Sequence, residues 1–139
     1  MARSDPFVET LATVPLFSAC SKKELALVAR GADRLTVEAG KVIVTEGSAG
    51  AEFFVIISGA ARVERSGRKV ASLGPGAFFG DLALLDRAPR NASVIAESPM
   101  ELARVGQKAF DELLGVPGFS KKLLAGLARR LRQEDAKTR

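Results

Sequence analysis

The spacing of apolar residues divides the chain into a helical beginning, a strand-rich middle and a helical end. Near the start, Ser21 and Glu24 have the spacing of a capping box, and apolar residues follow at helical intervals up to Gly31. From Asp33 the period changes to two, which is typical of strands. Pro117 then stands where a last helix would begin. The apolar stripe of that helix contains Phe119, Leu123, Leu124, Leu127 and Leu131.

The middle of the chain consists of short apolar runs separated by glycines. Residues 53–57 form a continuous apolar run, which predicts a strand buried on both faces. Ser66 and Gly67 form the predicted tip of a hairpin. Short strands with glycine turns at this spacing indicate a sandwich or a barrel. With helices on either side, the predicted fold class is α+β.

Length and composition favour one soluble domain. The chain has 139 residues, of which 47% are hydrophobic and 27% are charged. No apolar run approaches the roughly 20 residues that cross a membrane, so we expect no membrane association. The first residues lack the apolar core of a secretory signal. The expected location is therefore the cytoplasm.

The absence of histidine and the presence of a single cysteine, Cys20, exclude several kinds of site. Ser-His and Cys-His nucleophile pairs cannot form, and neither can a His-Glu-x-x-His zinc site. One cysteine cannot form an internal disulfide. We therefore expect no catalytic residues, no metal and no cofactor, and we expect that the protein is not an enzyme.

The net charge of +5 comes entirely from the last segment. Residues 1–120 contain 14 basic and 14 acidic side chains, whereas residues 121–139 contain 7 basic and 2 acidic ones. One interpretation is a solvated helix whose cations complement the helix dipole. The other is a docking surface for an acidic protein partner.

Residues 78–94, FFGDLALLDRAPRNASV, carry the most specific chemical signal in the chain. Gly80 is followed by the carboxylate of Asp81, by a short apolar helical turn, and then by Pro89 and Arg90. Amides at the start of a helical turn and a guanidinium can bind a phosphate, while a carboxylate can accept a sugar hydroxyl. The loop is therefore suited to a phosphorylated sugar.

This run closely resembles the phosphate-binding cassette of cyclic nucleotide-binding domains, the sensor modules of cAMP receptor proteins and of protein kinase A regulatory subunits. The family pattern is Phe-Gly-Glu-x-Ala-Leu followed by Pro-Arg-x-Ala-Thr/Ser-Val, and the only departure here is Asp81 in place of glutamate. The resemblance extends over residues 8–132. It implies a single domain over residues 1–139, in which a β-roll (a double-stranded jelly-roll) at about 33–105 lies between helices at about 5–31 and 107–135.

The resemblance also assigns roles to residues of the cassette. Arg90 would bind the exocyclic oxygens of a cyclic phosphate, assisted by the amides of Ala83 and Ala92, and Asp81 would bind the ribose 2′-hydroxyl. A side chain at Gly80 would crowd the sugar. Phe78, Phe79 and Leu84 are interpreted as core. The full set of expected ligand-binding residues is Gly80, Asp81, Leu82, Ala83, Arg90, Asn91, Ala92 and Ser93.

Two residues of the cassette leave alternatives open. Asp81 is shorter than glutamate by roughly 1.5 Å, so the ribose contact is restored by backbone adjustment or water, or it is lost. Asp81 could equally cap the turn that follows it. Asn91 matches neither the alanine of cAMP-preferring modules nor the threonine of cGMP-preferring ones. The expected ligand is cAMP, with cGMP as the alternative.

The leading interpretation is a stand-alone sensor, and the resemblance implies that its last helix folds over the nucleotide, with Leu127 or Leu131 as the lid. No helix-turn-helix follows before Arg139, so direct DNA binding is not expected and the effector would be another protein. The alternative is a degenerate module that acts as an interaction scaffold without nucleotide. An enzyme using the anion site, such as a phosphodiesterase, is disfavoured by the lack of histidine.

Overall fold

The computed structural model describes residues 6–86 and 88–138, with the backbone alone described at 6, 82, 83, 86 and 133–138. The helices are α1 Pro6–Ala12, a 3-10 turn Pro15–Phe17, α2 Lys22–Arg30, α3 Asp81–Asp86, α4 Gln107–Leu114 and α5 Pro117–Thr138. The strands are β1 Ala32–Val37, β2 Val42–Val44, β3 Glu52–Ser58, β4 Ala61–Arg65, β5 Arg68–Leu73, β6 Phe78–Phe79, β7 Ser93–Ala96 and β8 Met100–Gly106.

The eight strands form two four-stranded antiparallel sheets. One sheet has the order β1-β8-β3-β6 and the other the order β2-β7-β4-β5. The β4–β5 hairpin turns at Ser66 and Gly67, both of which have positive φ. All the described helices except α3, which lies between β6 and β7, come before or after this strand block, and the predicted α+β fold with a β-roll is confirmed.

The core has two layers, and strand β3 contributes to both. Phe53 and Val55 point to the helices, whereas Phe54 and Ile56 point to the second sheet. Because side chains alternate along a strand, an apolar run of this length fills both layers. The expected burial of β3 on both faces is confirmed.

Aromatic rings join the helices to one another and to the first sheet. Phe110 of α4 lies 5.1 Å from Phe53, measured between ring centroids. Phe119 of α5 stacks on Phe17 at 5.9 Å. The capping box of α2 is present as predicted, with Ser21 and Glu24 bonded reciprocally. These contacts fix the start of α5 against the body of the domain.

The last helix differs from the sequence prediction in its length and in its buried stripe. It continues to Thr138, whereas the helical segment was expected to end at about residue 135. Of the predicted stripe, Phe119 and Leu123 are buried, and Leu127 is partly buried. Leu124 and Leu131 are exposed. None of the described helices is long and apolar enough to cross a membrane.

Candidate ligand-binding site

The site is formed where the short strand β6 ends and α3 begins. Gly80 joins the two with a φ of +85°, a conformation that favours glycine. A Cβ at this position would lie 2.7 Å from Arg90 Nη1 and 2.7 Å from the carbonyl oxygen of Glu52. Glycine is thus required by the arginine and by strand β3, and the expected crowding of a sugar at this position stays a prediction.

Arg90 follows α3 and folds back beneath this loop, where it is 6% exposed. Its Nη1 donates to the Gly80 carbonyl and its Nη2 to the Glu52 carbonyl, each at 2.9 Å. Gly50 lies against the guanidinium so closely that a Cβ there would overlap it. The side chain is therefore held by β3, by the loop before β3 and by the cassette itself.

The backbone on either side of Arg90 is also fixed. Its amide donates to the Ser48 carbonyl at 2.8 Å, and its carbonyl accepts from the Gly47 amide at 2.7 Å. The loop between β2 and β3 is thereby joined to the cassette. The position of the guanidinium is thus determined both by the β2–β3 loop and by the cassette.

The guanidinium is a buried cation with little compensation. Burial lowers the pKa of Arg90, and the neighbouring charges of Glu52 and Asp81 raise it by a smaller amount. An arginine nevertheless stays charged in a protein. Among the described side chains, no carboxylate forms an ion pair with Arg90. Such a group attracts an anion, because carbonyl oxygens neutralise only part of its charge.

Asp81, the first residue of α3, is 0% exposed. Its Oδ2 accepts a hydrogen bond from Arg130 Nη2 of α5 at 2.8 Å, in an ion pair. Its Oδ1 is buried and has no hydrogen-bond partner. The capping of α3 considered from the sequence stays a prediction, because among the described residues this carboxylate is bonded to α5. The carboxylate keeps one acceptor atom available.

Arg130 is part of a close contact between α5 and the cassette. Its guanidinium carbon lies 4.9 Å from the ring centroid of Phe78, a cation–π arrangement. One turn earlier, α5 approaches the same ring so closely that a Cβ on Gly126 would lie 2.7 Å from Phe78 Cζ. In this arrangement α5 covers Asp81. Phe78, which was predicted as core, is partly buried against the core and also forms a platform for α5.

The remaining predicted residues lie around this centre. Ala92 is buried and Asn91 is exposed, with its carbonyl accepting from Arg65 Nε at 3.2 Å. Ser93 Oγ accepts from the Glu46 amide at 2.9 Å, which fixes the start of β7. The side chains of Leu82 and Ala83 lie outside the described residues. Phe79 and Leu84 are in the core, as expected.

Sequence reasoning missed four residues that shape the site, which are Gly50, Glu52, Gly126 and Arg130. A glycine in the middle of a long helix is a signal of close approach, and Gly126 could have been recognised on that ground. No local pattern distinguishes Arg130 from its exposed neighbour Arg129. The described residues contain no group of three or more potential metal ligands.

Comparison with known proteins gives a consistent result. The family model of the cyclic nucleotide-binding domain matches residues 34–115. A cAMP-dependent protein kinase regulatory subunit of Hypocrea atroviridis is 36% identical over 137 residues, which is 99% of this chain and 28% of that protein. The Thermus thermophilus catabolite activator protein has a TM-score of 0.76 and 34% identity, covering 89% of this chain and 61% of that one. The structure described as cAMP-bound PfPKA-R has a TM-score of 0.85 and 25% identity, covering 96% of this chain and 46% of that one.

Because the family model covers more than half of the sequence, the chain belongs to the cyclic nucleotide-binding domain family. It spans less than a third of the length of the curated relatives it matches. These relatives are named as regulatory subunits rather than as catalytic proteins.

Proposed function

We propose that this domain binds cAMP, with Arg90 on the cyclic phosphate and Asp81 on the ribose 2′-hydroxyl, and that it signals through movement of α5. The observation that carries the proposal is the Arg90 guanidinium. It is buried, held in place by two carbonyl oxygens, and without an ion-pair partner among the described side chains. Both acceptors are neutral, so an incoming phosphate would supply a directly bonded anionic partner for the guanidinium.

Asp81 supports the second half of the proposal. Its unpartnered Oδ1 is an acceptor of the kind that a ribose hydroxyl requires. A fully buried carboxylate oxygen without a partner is costly, and a hydroxyl donor would remove that cost. The shorter aspartate would then serve the sugar without the family's glutamate.

The link between ligand and signal follows from the position of α5. In the described arrangement Arg130 covers Asp81, so a nucleotide reaches the carboxylate only if this part of α5 moves. Binding would therefore redistribute the domain between two positions of α5. The basic outer residues of the same helix would change their position for an effector protein at the same time.

The choice of cAMP over cGMP rests on the relatives, whose names specify cAMP. Asn91, the residue that differs from both base-related patterns, is exposed at the rim of the cassette. Its side chain could reach a guanine edge, so cGMP remains the competing ligand in the test.

One observation favours the alternative of a scaffold that binds no nucleotide. Arg90 already has two acceptors and Asp81 already has a cationic partner without any ligand. A domain whose buried charged side chains already have these partners can keep its fold without nucleotide. Titration with nucleotide distinguishes the two proposals, because only the first predicts binding.

The test is calorimetric titration of the chain with cAMP, cGMP and 2′-deoxy-cAMP. We expect cAMP to bind most tightly and the 2′-deoxy analogue to bind more weakly, since it offers no hydroxyl to Asp81. Arg90→Ala should weaken cAMP binding at least tenfold, because a charge-assisted hydrogen bond contributes about 1.5 to 3 kcal/mol. The nucleotide should be recovered unchanged after incubation.

Hydrogen exchange over residues 117–132 reports on the proposed signal. We expect its protection to change when cAMP is added to the parent and to stay the same with Arg90→Ala. Equal affinity of parent and variant would reject the role of Arg90. Absence of any binding would favour the scaffold.

A further inference from the structure

The outward face of α5 carries the most exposed large apolar side chains of the described residues. Leu124 is 65% exposed and Leu131 is 64% exposed. They are seven residues apart, so they lie on one face of the helix, about 10 Å from each other. Lys121 and Arg132 are also exposed and lie on one side of this stripe. The surface is therefore apolar with a basic edge.

A complementary surface lies elsewhere on the same chain. Between α2 and α4 there is a shallow apolar groove in which Leu27, 42% exposed, lies beside Leu113 and Val116. The groove is bordered by Glu24 of α2 and Glu112 of α4. It is therefore apolar with an acidic edge.

These two surfaces do not contact each other within one chain. The side of α5 that faces its own domain is formed by Phe119 and Leu123, so Leu124 and Leu131 point away from it. Antiparallel pairing of two α5 helices through their stripes would bring Lys121 and Arg132 close to like charges. Docking into the groove brings the same cations close to Glu24 and Glu112, which is favourable.

We propose that α5 of one copy docks in the α2–α4 groove of a second copy. If each copy offers both surfaces to the other, the contact occurs twice and the assembly closes as a twofold dimer. The dimer uses residues of α5 that take no part in the contact with Asp81. The proposal therefore stands whether or not the domain binds a nucleotide.

The test is sedimentation velocity of the intact chain over a range of concentration and salt. We expect a monomer–dimer equilibrium that shifts toward monomer as salt increases. Leu27→Glu and Leu131→Glu should each raise the dissociation constant at least tenfold. Val42→Glu, which changes an exposed apolar residue outside both surfaces, is the control and should leave it unchanged.

A charge exchange distinguishes groove docking from pairing of α5 with α5. Glu112→Lys alone and the double variant Lys121→Glu, Arg132→Glu alone should each dissociate, and a mixture of the two should form a heterodimer. Circular dichroism of each variant checks that it is folded. The proposal is overturned if the parent is monomeric at every concentration. It is also overturned if the dimer is insensitive to Leu27→Glu and Glu112→Lys, since α5 would then pair without the groove.

Discussion

Replacement of Arg130 by alanine tests whether α5 and the nucleotide compete for Asp81. The variant removes the hydrogen bond to Oδ2 of Asp81, 2.8 Å long, and the cation–π contact with Phe78. A hydrogen bond between charged groups contributes about 1.5 to 3 kcal/mol, and the 37% exposure of Arg130 places it at the lower end. The cation–π contact adds about 0.5 kcal/mol at such a site.

Together the two contacts stabilise the closed position of α5 by about 2 kcal/mol, which corresponds to roughly a thirtyfold change in the ratio of closed to open forms. If the nucleotide binds only the open form, its apparent affinity rises by the same factor as long as the closed form is dominant. We therefore expect Arg130→Ala to bind cAMP about ten- to thirtyfold more tightly than the parent in calorimetric titration.

Arg129→Ala is the matched control, because Arg129 is the same residue type on the same helix and is exposed. It removes one positive charge from α5 without touching the cassette, so we expect its cAMP affinity to equal that of the parent. Weaker binding by Arg130→Ala would show that Arg130 stays on Asp81 in the complex. An unchanged affinity would show that the position of α5 and the occupation of the site are independent.

Three further substitutions or reactions test the geometry. Gly126→Ala should lower the melting temperature and raise cAMP affinity. The overlap of the new Cβ with Phe78 costs about 1 to 3 kcal/mol, which outweighs the gain of about 1 kcal/mol in helix propensity. A more stable variant would contradict the close approach. Asp81→Glu should weaken cAMP binding, since a fully buried position has no room for another methylene, and a clear gain in affinity would refute this reasoning. Burial, and to a smaller extent Glu24, raises the pKa of the Cys20 thiol. Maleimide should therefore react with Cys20 more slowly than it reacts with glutathione at neutral pH, and the reaction with Cys20 should become faster as the pH rises. Reaction of Cys20 at the same rate as glutathione would be the contrary result.

The strand-rich middle was predictable because local rules and tertiary packing agree there. The hairpin at Ser66 and Gly67 needs only residues that tolerate positive φ, and the sequence shows them. The run from Phe53 to Ile56 is apolar at every position, which is consistent only with burial on both faces. Capping of α2 by Ser21 is likewise a local interaction that a spacing of three residues reveals.

Other features depended on contacts between distant parts of the chain. Asp81 and Arg130 are 49 residues apart, and neither residue type nor spacing indicates that they form a pair. The division of the α5 stripe into a buried side and an exposed side was also missed, because the spacing shows only that the five apolar residues lie on one side of the helix. Which part of that face meets the domain depends on the rotation that Phe119 imposes when it stacks on Phe17.

The pairing of Asp81 with Arg130 sets a limit on how strongly this domain can respond to a ligand. A ligand shifts a conformational equilibrium only by the difference in its affinity for the two states. The coupling is reciprocal, so the position of α5 changes the affinity for the ligand by the same factor as the ligand changes the position of α5. If the ribose displaces Arg130, it breaks the interactions that hold α5 closed, which together contribute about 2 kcal/mol. The phosphate can bind Arg90 in either position of α5, because Arg90 is held by β3 and the cassette and not by α5. Arg90 would then provide affinity, whereas Asp81 would convert binding into movement, and removal of the 2′-hydroxyl would reduce the signal more than it reduces binding.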